Sequence, residues 1–269
     1  MQETIIKAEN LCCKAGKHYL LYNINWTVQA GEHWLVFGKN GCGKTTLLSC
    51  LAGFRPITSG RLTVLGESYG AENIFALRRK VGWVSSSFFD NYFRNETALQ
   101  IVLSGLFGTF GIDYDVRDQD IRDAKALLRE LHMEHKMKQP FCTMSKGERQ
   151  NILLARAFIS KPKLLLLDEP GTGLDIDARE YMMAAVAALA AQGKTTVLYV
   201  THYPEEVQPF MNKTILLQNG RSYAQGDTEK IMSQEMLSSF FDKPVQVYKQ
   251  KDGRMQVRVD TASDLKKSE

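Results

Sequence analysis

Residues 38–45 read Gly38-Lys39-Asn40-Gly41-Cys42-Gly43-Lys44-Thr45, a match to G-x-x-x-x-G-K-[ST]. Four fixed positions alone are weak evidence, but the flanks supply the context this motif requires. His33–Phe37 is a short apolar run of strand type, and Thr45–Ala52 reads as a short helix closed by Gly53. A strand that turns through glycines into a helix can point successive N–H groups at phosphate oxygens, where the helix dipole also favours an anion. Lys44 can then reach β- and γ-phosphates, and the Thr45 hydroxyl can ligate Mg2+. The expected nucleotide site therefore runs from Gly38 through Lys39, Asn40, Gly41, Cys42, Gly43, Lys44 and Thr45 to Thr46. A thiol set among such N–H groups is expected to have a lowered pKa, so Cys42 should react with thiol reagents unless ATP protects it.

A second stretch completes the chemistry. Leu164-Leu165-Leu166-Leu167-Asp168-Glu169-Pro170 is an apolar run, suited to a buried parallel strand, that ends in two carboxylates. Ligands of α/β sheets bind at the C-terminal strand edge. Asp168 is placed there to hold Mg2+ through its water shell. Glu169 can accept a hydrogen bond from a water in line with the γ-phosphorus and polarise it for attack. His202 follows the strand Thr195–Val200, so its ring should reach the γ-phosphate at the same edge.

Around these motifs the chain alternates. Thr4–Asn10, Ile24–Val28 and Arg61–Leu65 read as strands, and Ala30-Gly31-Glu32 as a turn. Glu96–Leu106, Arg117–Leu131 and Ser145–Ser160 read as helices, with Pro140 breaking the pattern before the third. A helix over Asp175–Ala191, a short helical piece at Pro204–Pro209 and a strand at Thr214–Leu217 follow. This is an α/β core with a helical insertion. The tail from Asp227 holds a helical stretch and then a hairpin, Val245–Val259, turning at Lys251-Asp252-Gly253; Lys266–Glu269 should be frayed.

Composition excludes other classes. The 269 residues are 44% hydrophobic and 24% charged, enough to build a core and unlike collagen-like, low-complexity or disordered chains. A net charge of +4 gives no electrostatic case for nucleic acid. The longest apolar run, Met182–Ala191, is too short for a bilayer helix, and the N-terminus has no secretory pattern. Five cysteines without a C-x-x-C pair argue against a disulfide framework or zinc site and for a reduced, cytosolic protein.

Between the two phosphate-site stretches lies Met144-Ser145-Lys146-Gly147-Glu148-Arg149-Gln150, which resembles the LSGGQ signature of ATP-binding-cassette (ABC) ATPases. In the same order, Gly173-Leu174-Asp175 resembles the D-loop and Thr201-His202 the switch histidine. The resemblance covers roughly residues 4–225. Ser145 with Glu148 also reads as a capping box that opens a helix N-terminus.

The resemblance implies a P-loop NTPase (RecA-like) core with an antiparallel β subdomain and an inserted α-helical subdomain at about 87–150. Residues 1–226 would form the ABC ATPase domain and 227–269 a short C-terminal extension. It implies ATP and Mg2+ as ligands and hydrolysis by Glu169, with Lys44 and His202 stabilising charge. Ser145, Gly147, Glu148 and Asp175 would face nucleotide held by another subunit. Partners are then a second copy, or a related ATPase, and a separate transmembrane permease, with no direct nucleic acid. The chain would sit at the cytoplasmic face of the membrane, bound through its permease.

Three departures mark this sequence. Lys146 stands at the signature's usual Gly, and Glu148 at its usual Gln. Ser86 of Gly82-Trp83-Val84-Ser85-Ser86-Ser87 stands at the family's Q-loop Gln, and its side chain is too short to reach Mg2+ as Gln does. This combination is similar to the ModF-like branch. Tyr19 or His18 could stack on adenine. Phe88, Phe89, Tyr92, Phe93 and the run Ile101–Ile112 are either a permease-facing patch or the core of the insertion. A soluble ABC ATPase with a regulatory, repair or translation-related role is the alternative. A single cassette with no long coiled coil between Ser86 and Ser145 favours transport.

Overall fold

The computed structural model describes residues 3–68, 74–111 and 115–259. Two long strands, β1 (Thr4–Ala15) and β2 (His18–Gln29), precede β3 (Trp34–Phe37) and α1 (Lys44–Leu51). Then come β4 (Ser59–Val64), β5 (Glu67–Ser68), α2 (Ile74–Lys80), β6 (Val81–Val84) and α3 (Ser86–Phe89). The insertion continues with α4 (Ala98–Ser104), α5 (Asp118–Glu130) and α6 (Lys146–Phe158). The core resumes with β7 (Leu164–Asp168), α7 (Ile176–Ala191), β8 (Thr196–Thr201), β9 (Lys213–Gln218) and β10 (Arg221–Asp227). The chain then forms α8 (Thr228–Ile231), α9 (Gln234–Phe241), β11 (Val245–Lys249) and β12 (Met255–Val259).

The central sheet has the order β10-β9-β3-β8-β7-β6, parallel except for the β9–β10 hairpin. Leu164, Leu165, Leu166 and Leu167 are wholly buried, as expected for a parallel strand covered on both faces. Register sets the catalytic edge: Phe37 pairs with Thr201, Asp168 with Val200, and Val84 with Leu167. The segments leaving β3, β6, β7 and β8 therefore emerge side by side. A second, antiparallel sheet, β2-β1-β4-β5, covers one side of α1.

The insertion has its own core. Phe89, Phe93, Ile101, Val102 and Phe141 are fully buried, Phe88 and Phe110 are half-buried, and Tyr92 stacks on Phe110 at 4.2 Å. Of the two readings of this aromatic run, the structure gives mainly insertion core; Ile112 lies outside the described residues. Arg156 of α6 lies inside the cluster, 4.6 Å from the Phe89 ring. It donates to Ser104 Oγ and to the Thr109 carbonyl. Burial, with a smaller push from the nearby Arg78, lowers its pKa to about 9.

The elements named from the sequence are found with shifted ends, and β5, α2, α3 and β10 have no counterpart among them. Asn219 and Gly220, both at positive φ, form the tight turn that joins β9 to β10. The expected hairpin is present as β11 and β12. Arg254 anchors it to Glu180 of α7, and Gly253 lies against Pro209. Lys266–Glu269 lie outside the described residues. No helix among the described residues is long and apolar enough to cross a membrane.

Gly105 ends α4 where it meets α6, and a Cβ there would lie 2.1 Å from the Arg156 carbonyl oxygen. Backbone cannot yield as a flexible side chain can. Gly105→Ala should therefore destabilise the protein by about 1–3 kcal/mol, read as a lower urea midpoint at unchanged slope.

Candidate functional site

The loop after β3 is shaped by close approach. A Cβ on Gly38 would meet the Leu217 carbonyl at 2.4 Å, and Gly43 adopts φ 108 as the N-cap of α1. This curl encloses the Lys44 ammonium, which is 5% exposed. Its Nζ donates to the Gly38 carbonyl at 2.8 Å and the Lys39 carbonyl at 3.2 Å, and stands 3.4 Å from Glu169 Oε1.

Glu169 follows β7 with φ 49, a conformation that a non-glycine residue rarely adopts. Its amide is held by the Val200 carbonyl. Its Oε1 also lies 3.0 Å from His202 Nδ1, so an Nδ1–H tautomer donates to it. His202 in turn packs on Tyr203 at 4.0 Å.

Asp168 is buried and tightly framed. Its Oδ2 accepts from Ser85 Oγ at 2.8 Å, while Oδ1 is buried without a partner. Burial pushes its pKa above the ordinary carboxylate range; the hydroxyls of Ser85 and Thr45 oppose that, Glu169 adds to it and Lys44 opposes it. An orphaned, desolvated carboxylate oxygen beside a hydroxyl is what a divalent cation would satisfy. Among the described residues no cluster of three or more His, Cys, Asp or Glu could hold a metal alone. Thr45 and Asp168 thus fit a Mg2+ that draws its other ligands from phosphates and water.

These groups open onto a cavity of about 840 Å3. Asn40, Gly41, Gly43, Lys44, Thr45, Thr46, Asp168 and Glu169 line it, as the sequence led one to expect. Gly38 and Lys39 act through their carbonyls instead. Of the two residues named for adenine stacking, Tyr19 is on the wall and His18 is not; Lys14 Nζ lies 4.3 Å from the Tyr19 ring centroid. Sequence reasoning missed Thr172, Asp90, Asn219 and Gly220 on this wall. Asn-Gly as a hairpin dipeptide was the available signal for the last two.

Other expected residues stand apart. His202 reaches Glu169 but is not on the cavity wall. Ser145 and Glu148 form the expected capping box at the start of α6, and Glu148 also pairs with Lys136 at 2.9 Å. Of the signature residues only Lys146 lines this chain's own cavity; Ser145, Gly147 and Glu148 do not. Asp175 caps α7 by accepting from the Ala178 amide. Cys42 is a correction: it is 6% exposed, and burial pushes its thiol pKa up, outweighing the pull of Lys44. The desolvation of a loop packed against Leu217 exceeds the field of its amides.

Comparison with known proteins agrees with the geometry. The family model described as ABC transporter matches residues 21–172. The uncharacterized ABC transporter ATP-binding protein YlmA of Bacillus subtilis is 36% identical, covering 90% of this chain and 93% of its own length. The ABC transporter ATP-binding protein ModF of Escherichia coli is also 36% identical, over 70% of this chain and 39% of that protein. A solved chain from an inward-facing conformation of a protein described as a metal-chelate type ABC transporter superposes with a TM-score of 0.75. It is 29% identical and covers 97% of this chain and 99% of its own.

The cysteines give a direct check on the buried loop. Cys142 is exposed, whereas Cys12, Cys13, Cys42 and Cys50 are buried. At neutral pH, maleimide should label native protein at Cys142 well before Cys42, as read by peptide mass spectrometry. Fast modification of Cys42 would contradict its burial.

Proposed function

The chain belongs to the ABC transporter family, whose ATPase cassettes bind and hydrolyse ATP, and on that premise we propose that it powers a separate membrane permease by dimerising on ATP. One observation carries the dimer. The chain has one phosphate loop and one signature helix, yet Ser145, Gly147 and Glu148 lie off the wall of its own cavity. A second copy, or a related ATPase, would bring those residues to the nucleotide. The capped N-terminus of α6 suits an anion.

Within the site, each group has a role that follows from its placement. Lys44, already surrounded by carbonyls and a carboxylate, would exchange those partners for β- and γ-phosphate oxygens. Thr45 and Asp168 would hold Mg2+, which neutralises phosphate charge when bound. Glu169 would accept a hydrogen bond from the attacking water and orient it. His202, on Glu169 Oε1, would keep that carboxylate aimed and, with Lys44, stabilise negative charge that develops in the transition state. The Tyr19 ring offers a stacking face for the base.

The cassette would comprise residues 1–226, with 227–269 as a short C-terminal extension whose Arg254 pairs with Glu180 of α7. The permease would hold the chain at the cytoplasmic face of the membrane. The transport reading is supported by the whole-length match to a chain of a metal-chelate type transporter. Ser86 is the feature that favours a soluble ABC ATPase instead, because it shortens the side chain at the family's Q-loop Gln.

Glu169→Gln keeps the shape of the side chain but removes the base. It should lower kcat by about 10²–10⁴-fold and accumulate an ATP-bound dimer on size exclusion with light scattering; a monomer with MgATP would refute the closure. Affinity purification from detergent-solubilised membranes should co-isolate a multi-span protein. Recovery of the chain without one would favour the soluble alternative.

A further inference from the structure

Asp168 has one carboxylate oxygen fixed and one open. Oδ2 accepts from Ser85 Oγ at 2.8 Å, and Oδ1 is buried with no hydrogen-bond partner. Ser85 is itself 0% exposed and is the residue directly after β6. The β6–β7 register, Val84 beside Leu167, brings it level with Asp168. The contact is therefore built by the sheet rather than by a loop.

The network has a direction. Ser85 Oγ also lies 3.2 Å from Ser87 Oγ. A hydroxyl has one proton, and an ionised carboxylate only accepts. Ser85 must spend its proton on Asp168, so Ser87 donates to Ser85. The Ser85 carbonyl meanwhile accepts from the amides of Phe88 and Phe89, tying α3 to the same residue. Ser86 lines the cavity with a side chain shorter than the family's Gln, and the hydrogen bond from this loop to Asp168 is made by Ser85.

We propose that Ser85 is the positioning residue of the cation site, holding the Asp168 carboxylate by Oδ2 so that Oδ1 is presented to the divalent ion. This rests on Thr45 and Asp168 as the cation's protein ligands. Partners that orient a ligand, as Ser85 would, are typically worth about 10–100-fold in metal affinity.

Titration of Mn2+ by electron paramagnetic resonance, with ADP present, reads this without turnover. Ser85→Ala should weaken Mn2+ binding by about 10-fold or more, while fluorescent ATP-analogue binding in EDTA stays unchanged. Ser85→Thr, which keeps the hydroxyl, should recover most of the loss. In hydrolysis, the Mg2+ requirement of Ser85→Ala should rise by a matching factor, with KM for ATP unchanged at saturating Mg2+. Wild-type Mn2+ affinity in Ser85→Ala would overturn the proposal, as would equal loss in Ala and Thr variants or a parallel loss of metal-free nucleotide binding. Wild-type protein that binds no Mn2+ with ADP would instead remove Thr45 and Asp168 as ligands, which separates failure of that assignment from failure of Ser85.

Discussion

A lysine ammonium withdrawn from water has to be surrounded by oxygen, and this molecule is arranged around that requirement. Lys44 is 5% exposed, and its charge is met by two carbonyls of its own loop and by the carboxylate of Glu169, just after β7. An uncompensated buried charge costs several kcal/mol. The loop can bend its carbonyls inward only because Gly43 accepts a backbone geometry closed to other residues. The carboxylate is within reach only because β3, β8 and β7 run parallel in one sheet. Neither the loop nor the strand would serve alone.

The same sheet edge sorts residues by depth. Asp168 and Ser85 belong to the buried layer, where a hydrogen bond has no competition from water. Glu169, Tyr19 and Lys146 open toward solvent and can meet a ligand or a second chain. The signature capping box lies outside this arrangement, its polar groups satisfied among Ser145, Glu148 and Lys136. On the proposed dimer reading, the cassette is finished as a fold and completed as a catalyst by a second chain.

How much of this was legible in the sequence depends on burial. Leu164–Asp168 and the phosphate loop could be read because apolar continuity and glycine spacing are local signals. The strand Arg221–Asp227 could not, since it lies at the edge of the sheet with no residue fully buried and so carries no apolar alternation. Cys42 was misjudged because a motif shows the amides around a thiol but not the side chains that exclude water from it. The contact of His202 with Glu169 depends on the register of β7 against β8, which no local pattern encodes. Ser85 was visible as a letter, yet its partner lies 83 positions further along the chain.

The left-handed backbone of Glu169 carries one more consequence. A glutamate at φ 49 costs on the order of 1 kcal/mol relative to an unstrained residue. Glycine would relax that strain, and so the residue best for folding at this position is one that carries no carboxylate at all. The fold tolerates a locally unfavourable choice at the point where its chemistry is concentrated, and a search for more stable variants would be drawn first to the position it can least change.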